Sequence, residues 1–171
     1  MTMQTDVLSG HLHQSGFIVL QARSRVKGVS YKGTASAGQL DLFSTTTAPV
    51  SATYAQSGTT VTVTKSSHGL ATGAVIGIAF TVGTGGAAFS GNYSITRVDA
   101  NTFTLTSPNS ATITAGASCV YVVNGSWLLT VETTAGDTYQ NYLLIPGQGI
   151  LSAQTVYAYM SNIDLTTVFY G

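Results

Sequence analysis

The segment Thr59-Thr60-Val61-Thr62-Val63-Thr64 sets valine against threonine in strict alternation from Thr60 onward. Successive side chains of an extended strand point to opposite faces, so Val61 and Val63 share one face and the threonines the other. The same two-residue period, or a short apolar run between turn residues, recurs along most of the chain, which is the signature of strands. Helix signals are confined to Leu8, Leu12 and Phe17, and Gly10 and Gly16 interrupt anything longer than one turn. The expected fold class is all-β.

Read in order, the first strand is expected over Phe17–Arg23, continuing through Arg25, Val26 and Lys27. Residues 33–38 make a turn-rich break before a short strand at Gln39–Phe43, and the texture loosens over Ser44–Ser57, which holds Pro49. A second block opens with Thr59–Thr64, passes a loop over Ser67–Gly73, and continues as an apolar strand over Ala74–Val82. Asn92–Val98 and Thr102–Thr106 alternate aromatic or aliphatic residues with threonine and face each other across Asp99-Ala100-Asn101 as a hairpin. Ser107–Gly116 reads as a loop, and Ser118–Val123 closes the block. Further strands are expected at Trp127–Val131, Tyr139–Ile145, Thr155–Met160 and Thr166–Tyr170, with a turn at Pro146-Gly147-Gln148-Gly149. About ten strands at this spacing suit a sandwich or barrel. Two units are expected: a β-sandwich or barrel base from residues 1–52 and 124–171, and a small β-barrel inserted at 53–123.

Composition sharpens the reading. The chain holds 27 Thr, 18 Ser and 19 Gly but only 12 charged side chains, six of each sign. Charged residues at 7% fall far below the roughly 25% of ordinary soluble domains. Apolar content of 44% with no net charge places the chain outside the disordered class. A surface this poor in charge is either coated with hydroxyls and backbone amides or hidden against other subunits. The start of the chain lacks the basic and apolar regions of a signal peptide, and no apolar run is long enough for a membrane helix. Cys119, the only cysteine, sits in a strand-like run as an inert buried thiol.

No catalytic constellation is legible, and no cofactor is implied. His11 and His13 would share a face of an extended strand, yet two imidazoles with Asp6 as the nearest carboxylate make a poor metal site. Glu132 and Asp137 bracket a turn and read as a solvated hairpin end. Gly83-Thr84-Gly85-Gly86 is followed neither by Lys-Ser/Thr nor by a helix, so it is a loop and not a phosphate cradle.

The middle block, through His68-Gly69-Leu70-Ala71-Thr72-Gly73, Gly91-Asn92-Tyr93-Ser94-Ile95-Thr96-Arg97-Val98 and Asn101-Thr102-Phe103-Thr104-Leu105, resembles a known small β-barrel. That barrel is named for the first catalytic cysteine half-domain (FCCH) of the ubiquitin-activating enzyme. The resemblance implies a decorating domain of the kind frequent in phage structural proteins and brings no ubiquitin chemistry. The flanks are similar to small tailed-phage virion proteins, through Gln4-Thr5-Asp6-Val7, Arg25-Val26-Lys27-Gly28, Ile145-Pro146-Gly147-Gln148-Gly149-Ile150 and Thr167-Val168-Phe169-Tyr170-Gly171. What this resemblance implies is a capsid cement or decoration subunit, assembled in a host cytoplasm into a virion. Its expected partners are copies of itself, as a trimer, and the major capsid protein or other virion proteins. A head–tail adaptor, a tail component, or a glycan- or receptor-binding module on the particle surface are the alternatives.

Candidate assembly contacts follow from charge and aromatic placement. Arg23, Arg25 and Lys27 at spacing two would line one strand face, with Lys32 nearby, and could meet acidic surfaces of a shell protein. A net charge of zero gives no long-range pull on nucleic acid. Tyr157 and Tyr159 share one face of their strand while Ala158 and Met160 take the other, and Phe169 and Tyr170 end the chain in an aromatic strand. Trp127 is assigned to the core.

Overall fold

The computed structural model describes residues 8–20, 25–81, 87–135, 137, 140–143 and 155–171. Among them are thirteen strands and no helix, so the protein is all-β. In chain order these are β1 (Leu8–Leu12), β2 (Gly16–Val19), β3 (Val26–Gly33), β4 (Gly38–Ser44), β5 (Val50–Thr64), β6 (Val75–Phe80) and β7 (Gly91–Ser94). There follow β8 (Thr96–Arg97), β9 (Thr102–Val123), β10 (Ser126–Thr133), β11 (Gln140–Leu143), β12 (Thr155–Ser161) and β13 (Ile163–Tyr170). The chain divides into two compact units, Met1–Thr46 with Thr130–Gly171, and Thr47–Leu129 between them. The middle unit is wider than the expected 53–123 because β5 begins at Val50 and the chain stays attached to it through Trp127.

The base unit carries two four-stranded sheets, ordered β1-β13-β3-β11 and β10-β4-β12-β2. In the first, Gly10, Val168 and Val29 lie side by side, and Val168 and Val29 are fully buried. In the second, Ser44, Val156 and Ile18 share a rung, followed by Leu42, Ala158 and Gly16. The two inner faces meet where a Cβ on Gly10 would lie 2.6 Å from Ile18 Cγ2, so only glycine lets β1 approach β2 there. The outer face of the second sheet is aromatic. Phe43, Tyr157 and Phe17 occupy one rung across three strands, and Asp41 pairs with Tyr159 on the next.

The inserted unit is one five-stranded sheet, β5-β9-β6-β7 with β8 on β9, wrapped around a single core. Strand β9 pairs with β5 from Thr102↔Thr64 to Tyr121↔Val50, and its far end also pairs with β6. Register shifts between Tyr54/Gln56 and between Gly58/Thr60 bend this long ribbon, with Gly58 and Gly116 at φ +61° and +102°. Val61, Val63, Phe103, Leu105, Tyr54, Tyr121, Ile76, Ile78 and Phe80 all enter the core. The threonines at 60, 62, 64, 102, 104 and 106 fall on the opposite face, as the alternation requires.

Several expected boundaries are corrected. The run Phe17–Lys27 is not one strand: β2 ends at Val19 in one sheet and β3 begins at Val26 in the other. Ser44–Ser57 is half strand, and Ser107–Gly116 is strand throughout, because both belong to the β5–β9 ribbon. Thr102–Thr106 pairs mainly with β5, while the hairpin across Asp99–Asn101 shrinks to Thr96 and Arg97. Trp127 is half-buried, not core. The expected turns at Gly83–Gly86 and Pro146–Gly149 lie outside the described residues, as does the end of the strand expected over Tyr139–Ile145.

One contact ties the end of the inserted unit to its sheet. Gly77 on β6 faces the backbone of Ser126 and Trp127 so closely that an added Cβ would overlap both. Its neighbour in register, Asn92, turns its side-chain amide to Trp127, accepting from the Trp127 N–H at 2.7 Å and donating to the Trp127 carbonyl at 3.1 Å. The amide thus stands in for a strand, satisfying both backbone groups of Trp127. Gly77→Ala, which displaces backbone rather than a mobile side chain, is expected to lower unfolding free energy by about 1–3 kcal/mol in urea titration.

Candidate functional site

The loop motif of the inserted unit is structural in every residue. His68 Nδ1 accepts from the Leu70 N–H at 3.0 Å, and Nε2 lies 3.0 Å from the Asp99 carbonyl, so a neutral ring with its proton on Nε2 satisfies both. The ring packs edge-on against Phe103 at 5.2 Å. Gly69 and Gly73 take φ of +69° and +88°, Leu70 enters the core, and Thr72 Oγ1 accepts from the Arg97 N–H. Asn101 completes the clasp, accepting from Ser67 N–H with its side chain and from Lys65 N–H with its carbonyl. Cys119 faces the core, and burial pushes its thiol up to about 12, so it is unreactive.

The other chemistry-bearing residues are dispersed. His11 Nδ1 shares a 2.9 Å hydrogen bond with Thr167 Oγ1, and His13 lies beyond the end of β1. Asp137 caps the turn after β10, accepting from the Thr134 N–H and hydroxyl, while Glu132 is exposed on that strand. Among the described residues no three His, Cys, Asp or Glu side chains are grouped as metal ligands.

The expected assembly residues fall on different surfaces. Tyr157 and Tyr159 lie half-buried on the outer face of the second base sheet. Phe169 sits on the outer face of the first sheet beside Gly28 and Ser9, whereas Tyr170 turns inward and is buried. Arg25 is exposed just before β3 and its backbone pairs with Gly171, while Lys27 is the extra residue of a bulge opposite Phe169 and Tyr170. Arg23 lies outside the described residues. Lys32 pairs with Asp164 at 3.8 Å on the surface, a contact of little energetic weight.

Two features of the second sheet's outer face were not legible. On edge strand β2, Phe17 is 42% and Val19 75% exposed, and Phe17 packs edge-on against Tyr157 at 4.7 Å. Beside this patch Asp41 is 2% exposed, accepting from Thr130 Oγ1 at 2.6 Å and from Gln39 Nε2 at 3.0 Å to each oxygen. Burial pushes its carboxyl up to about 6; the Thr130 and Gln39 hydrogen bonds oppose this and the charge of Glu132 adds to it. In comparisons with known proteins, no family model matches the chain and no curated protein sequence does.

Asp41 imposes a pH dependence whose sign follows from linkage. Its folded value lies above the ordinary 3.8, so the fold binds a proton that the unfolded chain has released. Its contribution is fully favourable below 3.8 and is lost as pH rises through about 6. The span corresponds to about 3 kcal/mol. Asp41→Asn keeps the Thr130 hydrogen bond and removes the charge. Denaturation between about pH 4 and pH 7 is expected to show this variant with a flatter profile and greater stability than the parent at the upper end.

Proposed function

We propose that the chain is a structural subunit of a tailed-phage virion, a capsid cement or decoration protein that binds copies of itself, as a trimer, and the major capsid protein. The family resemblance of the flanks and the middle block points to the particle. The observation that carries the assembly role is the free edge strand β2 with the aromatic face beside it. Soluble monomers blunt such edges with Lys, Pro or bulges. Here the residues are Gly16, Phe17, Ile18 and Val19, uncharged and unbulged, with Tyr157 and Tyr159 extending the apolar area across β12. A strand from a neighbouring subunit added at β2 satisfies open backbone groups, and Phe17, Val19 and Tyr157 supply the buried aromatic and aliphatic anchors. Many copies of so modest a contact stabilise a shell collectively.

The test is the mass of the purified protein by light scattering, followed by co-sedimentation with empty shells of its parent particle. A defined trimer that binds shells and raises their disruption temperature is expected. Val19→Lys, at an exposed position, should abolish shell binding and leave the melting temperature of the free protein within a few degrees, since surface changes stay within about 0.5 kcal/mol. A monomer indifferent to shells sinks the cement reading and moves the weight to a tail or connector position.

A further inference from the structure

Phe89 is the one aromatic ring of the inserted unit that is mostly exposed, at 58%, and it is held with unusual care. Its backbone N–H donates to Ser107 Oγ and to Asn109 Oδ1, both at 3.2 Å, and its carbonyl accepts from the Tyr93 hydroxyl at 2.6 Å. Asn109 also donates to the Ala87 carbonyl at 2.9 Å. From the far side Gln56, 2% exposed, donates to the Asn109 carbonyl at 2.8 Å. Four polar side chains from three strands therefore fix two residues of backbone around a phenyl ring that faces solvent. A core does not need this: the ring is outside it. Such support lowers the entropy lost when a ring is covered by a ligand, the usual reason for rigid aromatic anchors in binding sites.

The surroundings define the ligand's chemistry. The inserted unit has only three charged residues, Lys65, Arg97 and Asp99, and all three belong to the His68 loop and its partner turn. Phe89 is attached instead to the middle of β9, beyond the rungs that loop occupies. What lies around the ring is amide and hydroxyl: Asn109 has used one of its two amide hydrogens, and the Tyr93 hydroxyl keeps its lone pairs. A flat aromatic face carries negative quadrupole that attracts the polarised C–H groups of a sugar ring, and neutral donors and acceptors at its rim match sugar hydroxyls. Phosphates, acidic peptides and nucleic acids would find no cation there.

From this geometry we propose that Phe89 is the stacking platform of a binding site for a neutral sugar ring, with Asn109 and Tyr93 as its polar rim. This site is independent of the virion reading, and its test does not involve shells. Backbone amide spectra of the full chain are to be recorded during titration with neutral trisaccharides built from glucose, galactose and N-acetylglucosamine. At least one is expected to shift residues 87–93 and 107–109 in a saturable way. Phe89→Ala should weaken that binding by about tenfold or more, with the melting temperature unchanged, and Phe89→Trp should retain it. Ser107→Ala, which leaves the ring but loosens its backbone, should weaken it about threefold to tenfold. Absence of saturable shifts for every sugar overturns the proposal, as do shifts that persist in Phe89→Ala or a Ser107→Ala protein that binds as tightly as the parent.

Discussion

Strand β9 pairs along both of its edges, and the inserted unit exists because of that. Twenty-two residues of extended backbone would present long open rows of N–H and C=O groups; β5 satisfies one row, and β6 and β8 share the other. A flat ribbon of that length would bury nothing. The two register shifts opposite Ala55 and Thr59 bend it so that Val61, Phe103 and Leu105 face the same interior as Tyr54, Cys119 and Tyr121. Bending leaves backbone groups that the ladder no longer serves, and side-chain amides take them over: Gln56 bonds the Gly58 and Asn109 carbonyls, Asn109 the Ala87 carbonyl, and Asn92 both groups of Trp127. In a chain with so few charges, Asn and Gln do the work that ion pairs do elsewhere.

The alternation that opens β5's second half carried through to the structure because one face there is buried and the other wet. The same is true of β12, where Val156 and Ala158 are buried and Tyr157 and Tyr159 face outward. The residues 107–116 were illegible for the opposite reason. Most of them are exposed on both faces, and the register shifts break the two-residue period, so Ser, Thr, Ala and Gly there look like a loop. Asp41 misled in another way. The pattern Gln39-Leu40-Asp41-Leu42-Phe43 reads as polar residues facing water, yet every one of the five is buried. Sequence periodicity reports which residues share a face, and it cannot report that a nominally outer face is covered.

The candidate sites divide along the same line. The loop motif could be read because each of its residues is fixed by local geometry: a left-handed glycine, a threonine under a strand N–H, a histidine spanning four residues of backbone. Phe17 and Val19 could not be separated from core residues, since an apolar strand looks the same at the edge of a sheet and in its middle. Phe89 stood in the sequence as one ring among glycines and alanines. Its significance comes from Ser107, Asn109 and Tyr93, which approach it only once β9 is folded.

Scarcity of charge then acts twice. Within each unit it removes the desolvation cost that buried ions carry and leaves one conspicuous exception, Asp41, whose burial favours its protonated form. At the surface it removes the usual guard against association, because exposed edge strands are normally kept apart by lysines and by net charge. Edge strand β2 has neither. A chain of this composition is soluble through its hydroxyls and amides, and its open edge can be satisfied only by water or by another strand. At high local concentration on a repeating lattice the second outcome gains ground, since each added strand exchanges water for backbone partners and buries Phe17 and Val19 at once.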